Sequence, residues 1–235
     1  MNFYEAKLRV AWGPGSGQVR PLILWAVGAL VATASLVAAL MPAMACAKSV
    51  SPLIPLLSKP GEIGGFEPGK PQVFRAVIAV RNASGSRPTA AELRRYEREG
   101  FVEAAIVRLH GKAESAAMGV SSVFEFESPL DARAEMKAKL KEDFDPAALR
   151  KEGILDYFTL RHFNVPGVAG AVAYALVSNK AAEKVGSEAG VAKGLFVVGN
   201  CLIAVGVAKF KSSDVFEPVI TGAQAIFDRS GGICP

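Results

Sequence analysis

The spacing of apolar and polar positions divides most of this chain into short elements. In 118–127, apolar residues and Ser122 take every second position and the glutamates lie opposite, which predicts a half-buried strand. In 132–144, apolar side chains recur every four residues, which is typical of an amphipathic helix. Similar patterns predict further strands at 73–80, 102–109, 157–163 and 167–177. The alanines of 167–177 leave that segment open between strand and helix.

Capping and turn residues set the ends of several elements. Ser128, Pro129 and Asp131 form a strong helix start, and Asp145-Pro146 predicts a second, short helix. Thr89 and Glu92 form a capping box before a helix that Gly100 ends. Gly199-Asn200 predicts a two-residue hairpin turn. The helical spacing of apolar residues in 215–227 predicts a final helix that covers the sheet.

Strands in hairpin pairs, with helices between and after them, are typical of one fold class. They predict an α+β fold with a mostly antiparallel sheet and helices packed on one face, preceded by an N-terminal apolar helix.

The N-terminal part has the order of an export signal. Residues 1–20 form a basic, cytoplasmic n-region, and 21–46 form a signal peptide or transmembrane anchor with no charged residue. Because no polar face interrupts the apolar run, a buried core helix is a poor alternative. The run is also long enough to span a bilayer.

Cys46 follows the small residues Ala43 and Ala45, which form a small-x-small cleavage site. The stretch resembles a bacterial lipobox, which implies lipidation of Cys46, although Ala43 and Met44 depart from the usual residues. Three outcomes stay open: a lipid anchor on Cys46, an uncleaved signal anchor, or a cleaved and freely secreted chain. The expected location is the outer face of the cytoplasmic membrane, or otherwise the exterior.

The remainder divides into a linker and a domain. Residues 47–72 are rich in Pro and Gly, but their leucines are too apolar for a solvated tether, so part of this linker is expected to pack on the domain. Residues 73–235 are the predicted extracytoplasmic α+β domain.

The three cysteines fit an exported chain. If Cys46 carries lipid, Cys201 and Cys234 remain to pair as a disulfide in an oxidising compartment. The alternative is two free thiols. A zinc site is disfavoured, because no histidine lies at ligand spacing from either cysteine.

Composition and charge change the picture mainly through the leader. The chain is 51% hydrophobic and carries a net charge of +5, but the leader holds much of the apolar excess. Beyond residue 45 the charges are 24 Lys and Arg against 21 Asp and Glu, a net +3. This balance is too mild and interspersed to indicate a nucleic-acid partner.

No catalytic triad motif, nucleotide fingerprint, metal cluster or cofactor motif stands out, so no metal or cofactor is expected. His110 and His162 are the candidates for acid–base chemistry, although a solvent-facing histidine is the commoner role. The charged residues of helix 91–99 could bind an acidic partner or be simply solvated. The strand phenylalanines could line a lipid pocket, but core packing is their commoner use.

Five stretches resemble a loose group of actinobacterial exported and lipid-anchored proteins of PsbP-like or serine/threonine-kinase-sensor-like α+β type. They are LLSKPGEIGGF (56–66), EREGFVEAAIV (97–107), SVFEFESPLDARAEM (122–136), NVPGVAGAVAY (164–174) and LFVVGNCLIAVG (195–206). The resemblance implies an extracytoplasmic, non-catalytic domain and carries over no functional residue.

These observations predict a membrane-tethered extracytoplasmic domain that binds an unknown ligand or envelope protein. The alternatives are a secreted hydrolase or lipid-processing enzyme that uses His162 or His110, and a structural envelope protein.

Overall fold

The computed structural model describes residues 51–76, 90–112, 117–184, 186, 188–210 and 214–234. The leader, Cys46 and the predicted N-terminal apolar helix lie outside the described residues, as do Thr89 and 77–80 of the predicted strand 73–80. Within the described residues, that strand is limited to three residues, because a bend follows Phe74.

Strands and helices alternate along the described chain. The strands are β1 (Phe66–Pro68), β2 (Gln72–Phe74), β3 (Phe101–Gly111), β4 (Met118–Phe126), β5 (Phe158–Phe163), β6 (Val172–Ser178), β7 (Ala189–Val198) and β8 (Cys201–Phe210). The helices are α1 (Ala90–Arg98), α2 (Pro129–Phe144), α3 (Pro146–Lys151), α4 (Ile154–Tyr157), α5 (Lys180–Lys184) and α6 (Phe216–Ser230), and a short 3-10 turn covers Ile54–Leu56.

The strands form one eight-stranded sheet in the order β1-β3-β4-β8-β7-β6-β5, and β2 also pairs with β3. Each described strand pair is antiparallel. The predicted α+β class with an antiparallel sheet is therefore confirmed. The ambiguous alanine-rich segment 167–177 contains a strand, β6.

The helix cap at Ser128 and the turn at Gly199 form at the positions predicted from the sequence. The Ser128 side chain accepts a hydrogen bond from the backbone N–H of Asp131 and caps α2. Gly199 takes a φ of 55° in the turn between β7 and β8, a left-handed conformation that favours glycine. A Cβ at this position would lie 3.1 Å from Cβ of Cys234, so a side chain would also crowd the C-terminal tail.

One face of the sheet, here called the α6 face, is covered by α6 and by the segment 51–66. The segment contributes apolar side chains that are at most 4% exposed and join those of α6 and the central strands in one core. They are Leu53, Leu56, Leu57, Ile63 and Phe66. Much of the predicted linker 47–72 is thus part of the domain core.

The opposite face, here called the α2 face, is covered by α1, α2, α3 and α4. Tyr96 of α1 and Ala132 of α2 pack on Phe126, Leu195 and Leu202 of the sheet. Nearer the other end of α2, a second group covers the rest of this face, and it contains Phe144, Leu149, Ile154, Phe158, Leu176 and Val191.

The helices therefore lie on both faces, whereas the sequence placed them on one. The reason is that the central strands β7 and β8 are buried at almost every position, not at alternate ones. A strand that is apolar on both sides needs a covering layer on each side.

Candidate functional site

The two histidines named by the sequence lie far apart on the sheet. His110 is exposed on β3 and His162 is exposed on β5. Five strand-to-strand steps separate β3 from β5 in the sheet order, roughly 24 Å at the usual strand spacing. The structure does not bring the two side chains together.

His162 takes part in an aromatic stack at the β5 edge. Its ring centroid lies 4.1 Å from that of Tyr174, which in turn stacks on Phe144 at 5.0 Å. Among the described contacts, neither histidine is hydrogen-bonded to a hydroxyl and a carboxylate together. The arrangement resembles a half-exposed packing contact more than a relay of proton-transfer groups.

The strand phenylalanines, candidates for lining a lipid pocket, lie in the core instead. Phe126, Phe158 and Phe196 are at most 2% exposed. Phe163 is partly buried against Phe216 of α6, at 5.1 Å between ring centroids.

The most concentrated group of ionisable side chains lies between α1, α2 and the sheet, and we call it the charged cluster. Its members are Arg95 and Tyr96 from α1, Glu99 directly after α1, Glu135, Lys139, Glu142 and Asp143 from α2, and Lys193 from β7.

Glu135 is the centre of this cluster, since it is 0% exposed. Arg95 reaches it with Nε 3.0 Å from one carboxylate oxygen and with Nη2 donating to the other at 3.3 Å. Lys139 lies 3.6 Å from the same carboxylate, one helical turn along α2. Arg95 also pairs with Glu142, and Lys193 pairs with Asp143. A buried carboxylate is tolerated here because it faces two cations.

The surroundings of Glu99 in the cluster shift its pKa. Its side chain is 9% exposed. Burial, followed by the neighbouring carboxylate of Glu135, raises the pKa of Glu99 to about 7. Oε2 of Glu99 is buried and accepts no hydrogen bond from the described residues. Protonating Glu99 leaves three carboxylates facing three cations.

The same surroundings shift the pKa values of Tyr96 and Lys139. Burial raises the pKa of Tyr96 to about 12. Burial by itself would lower the pKa of Lys139, but Tyr96 and the carboxylates around it raise it overall, so the ammonium stays charged. Both Arg95 and Lys139 lie over the Tyr96 ring, at 5.6 and 5.8 Å from its centroid.

Sequence reasoning treated the charges of helix 91–99 as a surface feature and missed Glu135. Arg94, Glu97 and Arg98 are indeed exposed, but Arg95 and Glu99 turn inward. A signal existed in α2, because Glu135, Lys139 and Asp143 recur at four-residue spacing beside the apolar stripe.

A second polar group lies on the α6 face, at one end of the sheet. Glu103 and Glu125 are cross-strand neighbours on β3 and β4. The Ser51 hydroxyl donates to Glu103, and Arg75 Nε lies 3.3 Å from its carboxylate. Burial, then the charge of Glu103, raises the pKa of Glu125.

The predicted pair Cys201 and Cys234 forms a disulfide next to this group. Its Cα atoms are 5.7 Å apart, inside the range that a disulfide needs. Cys201 is fully buried at the start of β8 and lies opposite Glu125, so the bond ties the C-terminal tail to the end of a central strand.

Among the described residues, no three metal-ligating side chains of His, Cys, Asp or Glu group together. Nor does any helix that the structure describes have the length and apolarity to span a membrane.

Comparison with known proteins adds little. No family model matches this sequence. No curated protein matches it either. Among solved structures, the extracellular domain of PknH from Mycobacterium tuberculosis is similar, with a TM-score of 0.41 and 11% identity over 72% of this chain and 86% of that domain. This neighbour is a kinase extracellular domain, and the likeness is a weak one of fold.

Proposed function

We propose that this chain is an exported domain, tethered to the outer face of the cytoplasmic membrane, that binds a ligand or protein partner there. The Cys201–Cys234 disulfide carries this proposal. Disulfides form and persist in oxidising compartments and are rare in the cytosol. A pair brought together from positions 33 residues apart, with one cysteine fully buried, is a structural bond of that kind.

The leader supplies the tether. A basic flank followed by an uncharged apolar run directs a chain to the membrane with its N-terminus inside. Cys46 then provides a lipid attachment point if the chain is cleaved there, and the apolar run serves as an anchor if it is not.

Binding is favoured over catalysis by the surroundings of the histidines. Each is exposed, and the distance between β3 and β5 means that an enzyme would have to use one of them alone. The described contact of His162 is aromatic, with Tyr174, and supplies no carboxylate. A triad at His162 would therefore lack its carboxylate among the described contacts, and His110, with Glu67 as its cross-strand neighbour, is the histidine left to the hydrolase alternative.

Intact-mass spectrometry of the full chain, recovered from bacterial membranes, tests the proposal. We expect a chain that begins at Cys46 and carries a diacylglyceryl group, and a Cys46→Ala variant that lacks this modification. An unmodified full-length chain in the membrane would replace the lipid with a signal anchor. Non-reducing peptide mapping of the same sample should link Cys201 to Cys234. Recovery from the cytosol with both thiols free would overturn the proposal.

A further inference from the structure

Several elements that are separate in the sequence begin or finish at the same end of the sheet, here called the tether end. Register places the start of β3 beside the end of β4, since Phe101 pairs with Phe126. The end of β4 lies in turn beside Cys201, at the start of β8. The disulfide brings the C-terminal tail to the same place. The tether end thus comprises 101–103, 125–130, 199–201 and 231–234.

The large apolar side chains that the described residues leave exposed all belong to this end. Leu130 is 73% exposed at the start of α2, Ile233 is 69% exposed beside Cys234, and Val102 is 44% exposed in β3. Isolated exposed apolar residues are ordinary, but three that lie at the same end of the sheet, from distant parts of the chain, point to a contact surface.

The chain also enters the domain at this end. Ser51, the first described residue, donates its hydroxyl to Glu103, which lies within the tether end. Cys46 precedes Ser51 by five residues, which can span no more than about 18 Å when fully extended. A membrane anchor at Cys46, or in the apolar run before it, therefore keeps the tether end close to the bilayer.

We infer that the tether end is a membrane-contact surface, in which Val102, Leu130 and Ile233 enter the interfacial layer of the bilayer that holds the leader. This inference rests on the proposed function, because it needs the tether. The short connection makes the bilayer a partner that is always within reach, whereas a protein would have to enter the same narrow gap. Among the carboxylates of the tether end, Glu103 is buried, Glu125 is half-buried and Glu127 is exposed, so the apolar side chains enter the bilayer with one carboxylate at the level of the headgroups.

The contact is apolar in character, which sets its chemistry apart from a basic lipid-binding patch. Side chains of this size can enter the boundary between headgroups and acyl chains, and salt does not weaken that contact as it weakens attraction to anionic lipid. The surface would fix the orientation of the domain, so that the opposite end, with α5, points away from the membrane.

Tryptophan quenching in vesicles tests the contact with the full chain. The protein has two tryptophans, Trp12 and Trp25, both in the leader, and replacing both with phenylalanine leaves a silent background. The reporter is Leu130→Trp, and the matched control is Ala181→Trp. Both positions are exposed second residues of a helix, but α5 follows β6 at the opposite end of the sheet.

Vesicles of phosphatidylcholine and phosphatidylglycerol with brominated acyl chains supply the quencher. We expect the Leu130→Trp emission to fall by about half and to shift to shorter wavelength, at low and at high salt alike, while the Ala181→Trp emission stays unchanged. Ile233→Trp serves as a second reporter if Leu130→Trp lowers stability. Equal emission from reporter and control in membrane-held protein overturns the contact surface and leaves the proposed function standing. Release of the chain from the membrane fraction overturns both.

Discussion

At the scale of single residues, the charged cluster shows how a domain of ordinary composition holds a fully buried carboxylate. Burying the carboxylate of Glu135 costs desolvation free energy, and Arg95 and Lys139 at ion-pair distance offset this cost. Arg95 and Arg98 act on Glu99 in the same direction, but burial and the neighbouring carboxylate of Glu135 outweigh them and raise its pKa. The cluster therefore favours a proton on Glu99 near neutral pH.

Stability should depend on pH through Glu99. Its pKa is about 7 in the folded chain against an ordinary 4.5, so the folded state holds an extra proton between these values. The contribution is complete below about pH 4.5 and is lost as pH rises through 7, amounting to about 1–3 kcal/mol of unfolding free energy. Urea unfolding at pH 5, 6, 7 and 8 measures it.

Glu99→Gln is the matched variant for this prediction. A neutral amide mimics the protonated carboxyl, so the difference between wild type and variant should change steadily between pH 5 and 8. Glu97→Gln, at an exposed site on the same helix, should leave the wild-type pH profile as it is. A Glu99→Gln profile parallel to that of the wild type would contradict the assignment.

At the scale of elements, the contact between α6 and the segment 51–66 decides whether the α6 face is closed. Gly222 of α6 lies against Ile63 of the segment, where an added Cβ would be 2.8 Å from Cγ1 of Ile63 and 3.2 Å from Cγ1 of Val205. The helix and the segment can approach this closely because Gly222 has no side chain.

Gly222→Ala should therefore destabilise the domain despite the better helix propensity of alanine. Alanine gains up to about 1 kcal/mol of propensity, but overpacking typically costs about 1–3 kcal/mol, so we expect a net loss in thermal unfolding. Gly64→Ala, in the same segment with open space around it, should be close to neutral. The double variant Gly222→Ala/Ile63→Ala should lose less than the sum of its parts, and strict additivity would refute the contact.

At the scale of the whole molecule, the disulfide joins the C-terminal tail to the start of β8, a central strand of the sheet. It closes 33 residues that include all of α6. The chain-entropy model gives such a loop roughly 3–4 kcal/mol. The bond therefore helps to keep α6 on the sheet.

Cys234→Ser should lower the midpoint of thermal unfolding by about 6–15 °C, measured by circular dichroism. A reducing agent should lower the wild-type midpoint by a similar amount. Cys46→Ser, outside the disulfide, serves as the control and should leave the midpoint unchanged. If reduction leaves the wild-type midpoint unchanged, the disulfide does not stabilise the folded domain.

Short-range patterns predicted most of the elements, because caps, turns and side-chain period act over a few residues. The cap at Ser128, the turn at Gly199-Asn200 and the final helix α6 were all predicted from their own residues. The distribution of helices was not, since it depends on which strands become central and lose both faces to the core. Glu135 was also missed, because its partner Arg95 is 40 residues away.

The sequence by itself determined the α+β class, the order of its elements and the leader pattern, since each follows from hydrophobic period, capping and charge order along the chain. The tertiary structure alone decided that helices cover both faces and that Arg95, Glu99 and Glu135 share one buried cluster. It also decided that Val102, Leu130 and Ile233 lie at the end of the sheet where the chain enters. These arrangements join residues that are distant in the sequence, and strand pairing and helix packing, not local pattern, place such residues.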